Sequence, residues 1–197
     1  IKALRRVMGW LATDGVWNKI YWCTRLKDNH WDTFVDSDWA GDQQYGSSRS
    51  RTGVIILLNG LPVFWRSNKQ PETAISSAQA EIYAMSEACK DIRLRLWVAD
   101  ELGLQPTYPT DVKVDNQSGV YFQNKMNPAT KLKGVFDLRL NWVKELQDRN
   151  IITAVKVHTD VNLADQLTKP LPARKLNELD QCMKTHCLLL EENKIPR

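Results

Sequence analysis

GVIILLNGLPVFW (53–65) is the stretch that decides the reading of this chain. Two apolar runs, Gly53 to Leu58 and Leu61 to Trp65, flank Asn59-Gly60. Asn-Gly readily accepts the two positive φ angles of a tight hairpin turn, so the stretch predicts two antiparallel strands. Just upstream, WDTFVDSDWAGD (31–42) places Thr33-Phe34-Val35 as a strand that runs into a polar loop. Three antiparallel strands therefore open the body of the protein.

Working outward, Ser76 and Gln79 fit a capping box, and a helix is expected from there to Gly103. Residues 111–115 read as a short strand with Asp115 at its far end. A short helix over 117–125, a longer one over 135–149 and a fifth strand over 151–157 follow. Residues 162–168 open a last helical segment, which Pro170 and Pro172 interrupt. Upstream, residues 1–29 read as an amphipathic helix, with Leu4, Val7, Met8 and Leu11 at helical spacing and a Trp-rich piece from Val16 to Trp22. The order predicts an α/β fold: a mixed five-stranded sheet, three antiparallel strands first, with helices on both faces. Three parts are expected: a leading segment 1–29, a domain 30–172 and a helical tail 173–197.

With 197 residues, 43% of them apolar, the chain can bury a sizeable core and does not have the composition of a disordered segment. No run approaches the ~20 apolar residues of a membrane helix. It begins at Ile1, as expected of a piece of a longer protein. The net charge of +4 is too mild to identify a partner by itself. Cys23, Cys89, Cys182 and Cys187 make no disulfide framework, which points to a reducing compartment. Cys182, His186 and Cys187 lack a second ligand pair at finger-like spacing, so no zinc is expected. Trp97 and Trp142 are expected in the core. Trp39 and Trp65, near strand ends, are candidates for a substrate surface, as are Lys69, Arg49 and Arg51 for phosphate contacts.

Four acids stand out by position. Asp36 lies just past an apolar strand and Asp115 at the end of another, and sites form outside strand ends in open α/β sheets. Glu81 shares a helical face with Met85, Ala88, Ile92, Leu96 and Ala99, so it is expected in the first turn of a buried apolar stripe. A carboxylate there costs several kcal/mol unless a positive charge offsets it; the helix N-terminus would do so in part, and a bound cation would do more. Asp165 opens the last helical segment. Together they would form an oxygen-rich, histidine-poor set suited to Mg²⁺ or Mn²⁺, and two such ions can drive in-line displacement at a phosphodiester. Asn116, Gln117 and Ser118, directly after Asp115, are candidate phosphate-and-base contacts.

DSDWAGD (36–42), RSRTG (49–53), SNKQPETAISSAQAEIYAMSEACK (67–90), VDNQSG (114–119) and NLADQLTKPLP (162–172) resemble, in order and spacing, the RNase H domain of copia-type retrotransposon Pol polyproteins. The resemblance covers about residues 31–172. It implies a ribonuclease H that cuts the RNA strand of RNA–DNA hybrids with two Mg²⁺ ions, Mn²⁺ substituting, and leaves 5′-phosphate and 3′-hydroxyl ends. It implies Asp36, Glu81, Asp115 and Asp165 as catalytic metal ligands, with Asp38 and Asp42 also in the family pattern, and Gln79 with Asn116, Gln117 and Ser118 at the substrate. His158 is matched to a histidine that relatives carry before the last acid. Both histidines of the family's run over 134–141 are lost here, while Asp137 and Arg139 remain. The implied partners are the hybrid and the reverse transcriptase of the same polyprotein, with no membrane; the implied setting is a cytoplasmic virus-like particle or the nucleus. Two alternatives are weighed beside it: a domesticated, inactive RNase H-fold binding module, and an integrase-like or resolvase nuclease.

Overall fold

The computed structural model of the chain describes residues 29–41, 48–115, 135–180 and 182. The helix and Trp-rich piece expected before residue 29, the helix expected over 117–125, and Asp42, Asn116, Gln117, Ser118, Cys23, His186 and Cys187 lie outside the described residues.

Five strands form one mixed sheet: β1 (Trp31–Asp38), β2 (Arg51–Leu58), β3 (Leu61–Lys69), β4 (Thr110–Val114) and β5 (Ile152–Lys156), ordered β3-β2-β1-β4-β5. β1 pairs antiparallel with β2, and β2 with β3, as the hairpin reading requires. β4 runs parallel to both β1 and β5. Asn59 and Gly60 have φ of 51° and 78°, the doubly positive turn that Asn-Gly accommodates.

The period of two sorts the central strands onto two faces. One face carries Trp31, Val35, Val54, Ile56, Val112 and Val114, and it packs on α1 (Ser77–Glu101) and α2 (Val135–Asp148). Ala80, Ala84 and Ala88 are fully buried on α1, and such small side chains let the helix lie close to the sheet. The other face carries Phe34, Ile55 and Leu57 under Leu163, Ala164 and Leu179, the last from a helix over 173–180. Helices therefore cover both faces, and β1 is buried along nearly its whole length.

Ser76 is the cap of α1: its hydroxyl accepts from the Gln79 N–H at 3.2 Å. The Gln79 side chain reaches one residue beyond the usual box and accepts from the Ile75 N–H at 2.7 Å. Three expectations need correction. β1 continues through Asp38, so Asp36 lies inside the strand rather than past it. Glu81 is the fifth residue of α1, and the first turn holds no acid, so the helix N-terminus is not what balances its charge. Trp97 is 60% exposed. It sits ~100° round the helix from buried Leu96, outside the stripe that meets the sheet. Trp142, by contrast, packs against the core.

Candidate active site

The ladder places the first two acids. Val35 of β1 pairs with Val114 of β4, so Asp36 and Asp115 are the next residues along two parallel neighbours. With the same parity, they point to the same side of the sheet. Glu81 reaches them from α1. Asp36, Glu81 and Asp115 each present a carboxylate oxygen, and these atoms all lie within 4.8 Å of one another; Asp36 and Glu81 are buried. Like charges at that spacing repel by about 3–4 kcal/mol per pair at an effective dielectric constant of ~20. Neighbouring protein groups offset part of this, and an oxygen-seeking divalent cation would offset more. The donor set, three carboxylates without sulfur or imidazole, fits Mg²⁺ or Mn²⁺.

Asp165 joins from the other side of the sheet's end. It lies in a 3-10 turn, Leu163–Leu167, within the helical segment that the sequence opens at 162–168. The Lys169 ammonium lies 2.9 Å from Asp165 Oδ1 and 3.5 Å from Asp36 Oδ2, so one cation touches both acids. The Thr168 hydroxyl donates to Asp36 Oδ2. Burial pushes the Asp36 carboxyl above its ordinary pKa; Thr168 and Lys169 pull it back, and the charge of Asp115 pushes it further up. Asp165 is raised too, by burial first, with Lys169 opposing and Asp36 adding. Burial opposes the charge on Lys169, but Asp36 and Asp165 outweigh it and hold its pKa above the usual lysine value. Thr168 and Lys169 were not singled out from the sequence. The signal was present: Lys169 follows Asp165 by four residues, a spacing that brings side chains together on a helical turn.

What holds this turn in place is equally specific. Asn162, fully buried, donates from Nδ2 to the Val35 carbonyl at 3.1 Å and accepts the Ala164 N–H at 3.1 Å. It thereby caps the turn and ties it to β1 beside Asp36. Ser67 of β3 donates to the Leu167 carbonyl at 2.6 Å. On β2, Gly53 is the register partner of Asp36. A Cβ at residue 53 would stand 2.8 Å from the Ala164 carbonyl oxygen and 2.8 Å from Thr168 Cγ2, closer than real contacts. Only a residue without a side chain lets the Asp165 turn lie this near the strand.

The other candidates are less involved. His158 is exposed, and its Nδ1 accepts the Asp160 N–H at 3.2 Å. The ring caps the turn Thr159–Val161. Gln79 spends its carboxamide oxygen on the start of α1. Asp38 is not in the group formed by the three acids. Trp65 and Trp39 are 64% and 50% exposed, and the Trp39 indole donates to the Ala74 carbonyl at 3.0 Å. Arg139, retained where the flanking histidines are lost, binds Glu87 at 2.9 Å and lies over the Tyr83 ring, locking α2 to α1. At the opposite end of β1, His30, Asp32 and Asp111 also cluster. There Lys113 already pairs with Asp32 at 2.6 Å, and the hydrogen bond from His30 to Asp32 holds the imidazole pKa up. That cluster is an ion-pair network satisfied by the protein's own cations.

No protein-family model matches the chain. Among curated proteins it is similar to the Retrovirus-related Pol polyprotein from transposon TNT 1-94 of Nicotiana tabacum, 30% identical over 154 residues. It is likewise similar to that from transposon RE1 of Arabidopsis thaliana, 27% identical over 171 residues. These matches take in 78% and 87% of this chain, which spans 11% of the length of either polyprotein. Among solved structures, LC11-RNase H1, isolated from compost by a metagenomic approach, superposes with a TM-score of 0.53 at 15% identity. That match covers 79% of this chain and 99% of that one. The structure of LC11-RNase H1 in complex with an RNA/DNA hybrid matches with a TM-score of 0.52 at 15% identity, over 70% of this chain and 93% of that one.

Proposed function

The homologues of this chain are copia-type retrotransposon Pol polyproteins and its fold is that of RNase H domains; from that premise we propose that it is a ribonuclease H, hydrolysing the RNA strand of RNA–DNA hybrids during reverse transcription. The observation that carries the reading is the meeting of Asp36, Glu81 and Asp115, from two strands and a helix, within 4.8 Å. Asp36, Glu81, Asp115 and Asp165 would hold Mg²⁺, two ions in the full reading, with Mn²⁺ able to replace it. Such ions supply a water activated for in-line attack and charge stabilisation at the leaving oxygen.

The chain's own residues do the positioning. Thr168 fixes one oxygen of Asp36 by donating to it, which leaves the other free to face a ligand. Lys169 holds Asp165 and Asp36 at a shared charge and keeps the pair from splaying. Asn162 and Gly53 set the height of the Asp165 turn over the sheet. Asn116, Gln117 and Ser118 follow Asp115 directly and would meet the hybrid, whose A-form-like minor groove displays the 2′-hydroxyls that distinguish RNA. The partners of this reading are the hybrid and the upstream reverse transcriptase; its setting is a cytoplasmic virus-like particle.

A hybrid labelled on its RNA strand tests the proposal. Cleavage is expected in Mg²⁺ or Mn²⁺ and not in EDTA, with 5′-phosphate ends, and an all-DNA duplex of the same sequence should stay intact. Hybrid binding with no metal-dependent cleavage would replace the enzyme reading with that of a binding module. Equal cutting of the DNA duplex would remove the RNA specificity.

A further inference from the structure

α1 changes character along its outer side. Glu87 and Lys90 face outward in its first half, where they form an ion pair. From Leu94 on, large apolar side chains are exposed there: Leu94, Trp97 and Val98 follow at helical spacing, with Leu102 at the cap and the exposed Asp100 and Glu101 beside them. They lie opposite the buried stripe of Ile92, Leu96 and Ala99. A helix that is apolar on both sides belongs between two layers. Among the described residues, only one of those layers is present. Beside the ridge runs a groove of about 400 Å³, with Arg93, Trp97 and Asp100 on one wall and Pro106, Tyr108 and Ile151 on the other.

The chain itself enters at that groove. Asn29 bridges to Pro106, and its Nδ2 donates to the Gln105 carbonyl at 3.2 Å. The Thr107 N–H donates to the Asn29 carbonyl at 3.0 Å. Asn29, to which residue 28 is joined, therefore lies at the groove's rim. Val16, Trp17, Ile20, Tyr21 and Trp22 supply the apolar content of that approach. Over residues 1–28 there are Lys2, Arg5, Arg6, Lys19, Arg25 and Lys27 against Asp14 and Asp28. The last turn of α1 offers the opposite sign: Asp100 and Glu101, no basic residue, and the negative end of the helix dipole. Reach is no obstacle. The ridge from Leu94 to Leu102 is ~12 Å long at 1.5 Å per residue, and residues 16–28 span ~20 Å even if helical.

We propose that the outer ridge of α1 and its groove are the docking face for residues 16–28 of this same chain. The segment packs its tryptophans and Ile20 on Leu94, Trp97 and Val98, and its basic residues lie toward Asp100 and Glu101. The leading segment is thereby clamped on the end of the domain away from the acids. This assignment does not depend on the nuclease reading.

Hydrogen exchange on the full chain tests it. Backbone amides of residues 16–28 should exchange slowly in the wild type. In the double variant Leu94→Glu/Trp97→Glu they should exchange at least ~10-fold faster, while amides of β1 and β4 keep their protection and confirm that the fold is intact. Leu94→Ser/Trp97→Ser, a milder change at the same exposed positions, should give the same selective loss. Fast exchange of 16–28 in the wild type overturns the proposal, and so does protection that survives both variants. Light scattering supplies the other arm: a wild-type dimer that both variants dissociate would assign the ridge to a second copy instead.

Discussion

Lys169 is the residue on which the electrostatics of the candidate site turn. It touches two acids that burial has already pushed toward the neutral form, and its charge is what keeps them tolerable together. Removing one member of a buried ion pair costs about 3–5 kcal/mol. A third of this side chain is open to solvent, so Lys169→Met should cost less, about 1–2 kcal/mol in metal-free denaturant melts. Saturating Mg²⁺ should recover part of that loss, because it offers the same neutralisation; a variant as stable as the wild type without metal would remove Lys169 from this role. The acids themselves carry a pH signature. The folded-state pKa of Asp36 lies above its ordinary value of 3.8, so the folded chain retains a proton that the unfolded chain releases. Its contribution to stability therefore falls as pH rises from about 4 through the raised value. Asp36→Asn, which mimics the protonated form, should match the wild type below about pH 4 and be the more stable of the two near neutrality. Metal-free melts across that range check the sign, and an Asn variant that is less stable at neutral pH would contradict it. Lys169 acts with the same sign in a higher window: its contribution is fully present below the ordinary lysine value of 10.5 and is lost as pH rises through the raised one.

At the scale of elements, the decisive contact is that of the Asp165 turn with β2. Two effects compete at Gly53. In a strand, replacing glycine by alanine ordinarily helps by about 0.5–1 kcal/mol, through the lower entropy of the unfolded chain. Here the new Cβ would meet a backbone carbonyl at 2.8 Å, and overpacking of that kind costs about 1–3 kcal/mol. The steric effect wins. Gly53→Ala should be destabilised and should lose activity, since a displacement of ~1 Å at catalytic groups can cost ~10²-fold. Denaturant melts and hybrid cleavage on the same sample measure both; a variant that is more stable and fully active would mean that the turn does not need this approach. What was legible at this scale was local. The Asn59-Gly60 turn and the Ser76 cap are decided by residues within four positions of each other, so the sequence displayed them. The 3-10 form of Leu163–Leu167 was not legible, because it follows from tethers to Val35 and Ser67, roughly a hundred or more residues away. Trp97 has a different reason: the stripe through Ile92, Leu96 and Ala99 is the inner face that periodicity indicates, and Trp97 lies ~100° outside it, so its bulk and apolarity alone do not make it core.

At the scale of the whole molecule, the candidate site exists only when the chain is folded. Its acids were legible as a set because strand ends, one misplaced charge and a family pattern pointed to them; that Lys169 joins two of them was not, since their meeting is a product of tertiary packing. Asp36, Glu81, Asp115 and Asp165 come from a strand, a helix, a strand end and a 3-10 turn, so an unfolded chain offers no comparable cation site. A ligand that binds only the folded form stabilises it by mass action, by about 2.7 kcal/mol at a concentration 100 times its Kd. For a chain of this size, ~2–4 °C per kcal/mol translates this into a rise in Tm of about 5–10 °C. The wild type should show that rise with added Mg²⁺, growing with the logarithm of its concentration once the site is saturated. Glu81→Gln should behave otherwise in both respects. Without metal it should be at least as stable as the wild type, because the amide keeps the shape and relieves repulsion among acids whose oxygens lie within 4.8 Å. With Mg²⁺ most of the thermal shift should disappear, and hybrid cleavage with it. A Glu81 with a purely structural role makes the reverse prediction: a less stable protein without metal, an undiminished Mg²⁺ shift and normal cleavage. Melts of the two proteins with and without Mg²⁺, paired with the cleavage assay, separate these outcomes, and a destabilised but active Glu81→Gln would refute the metal-holding role.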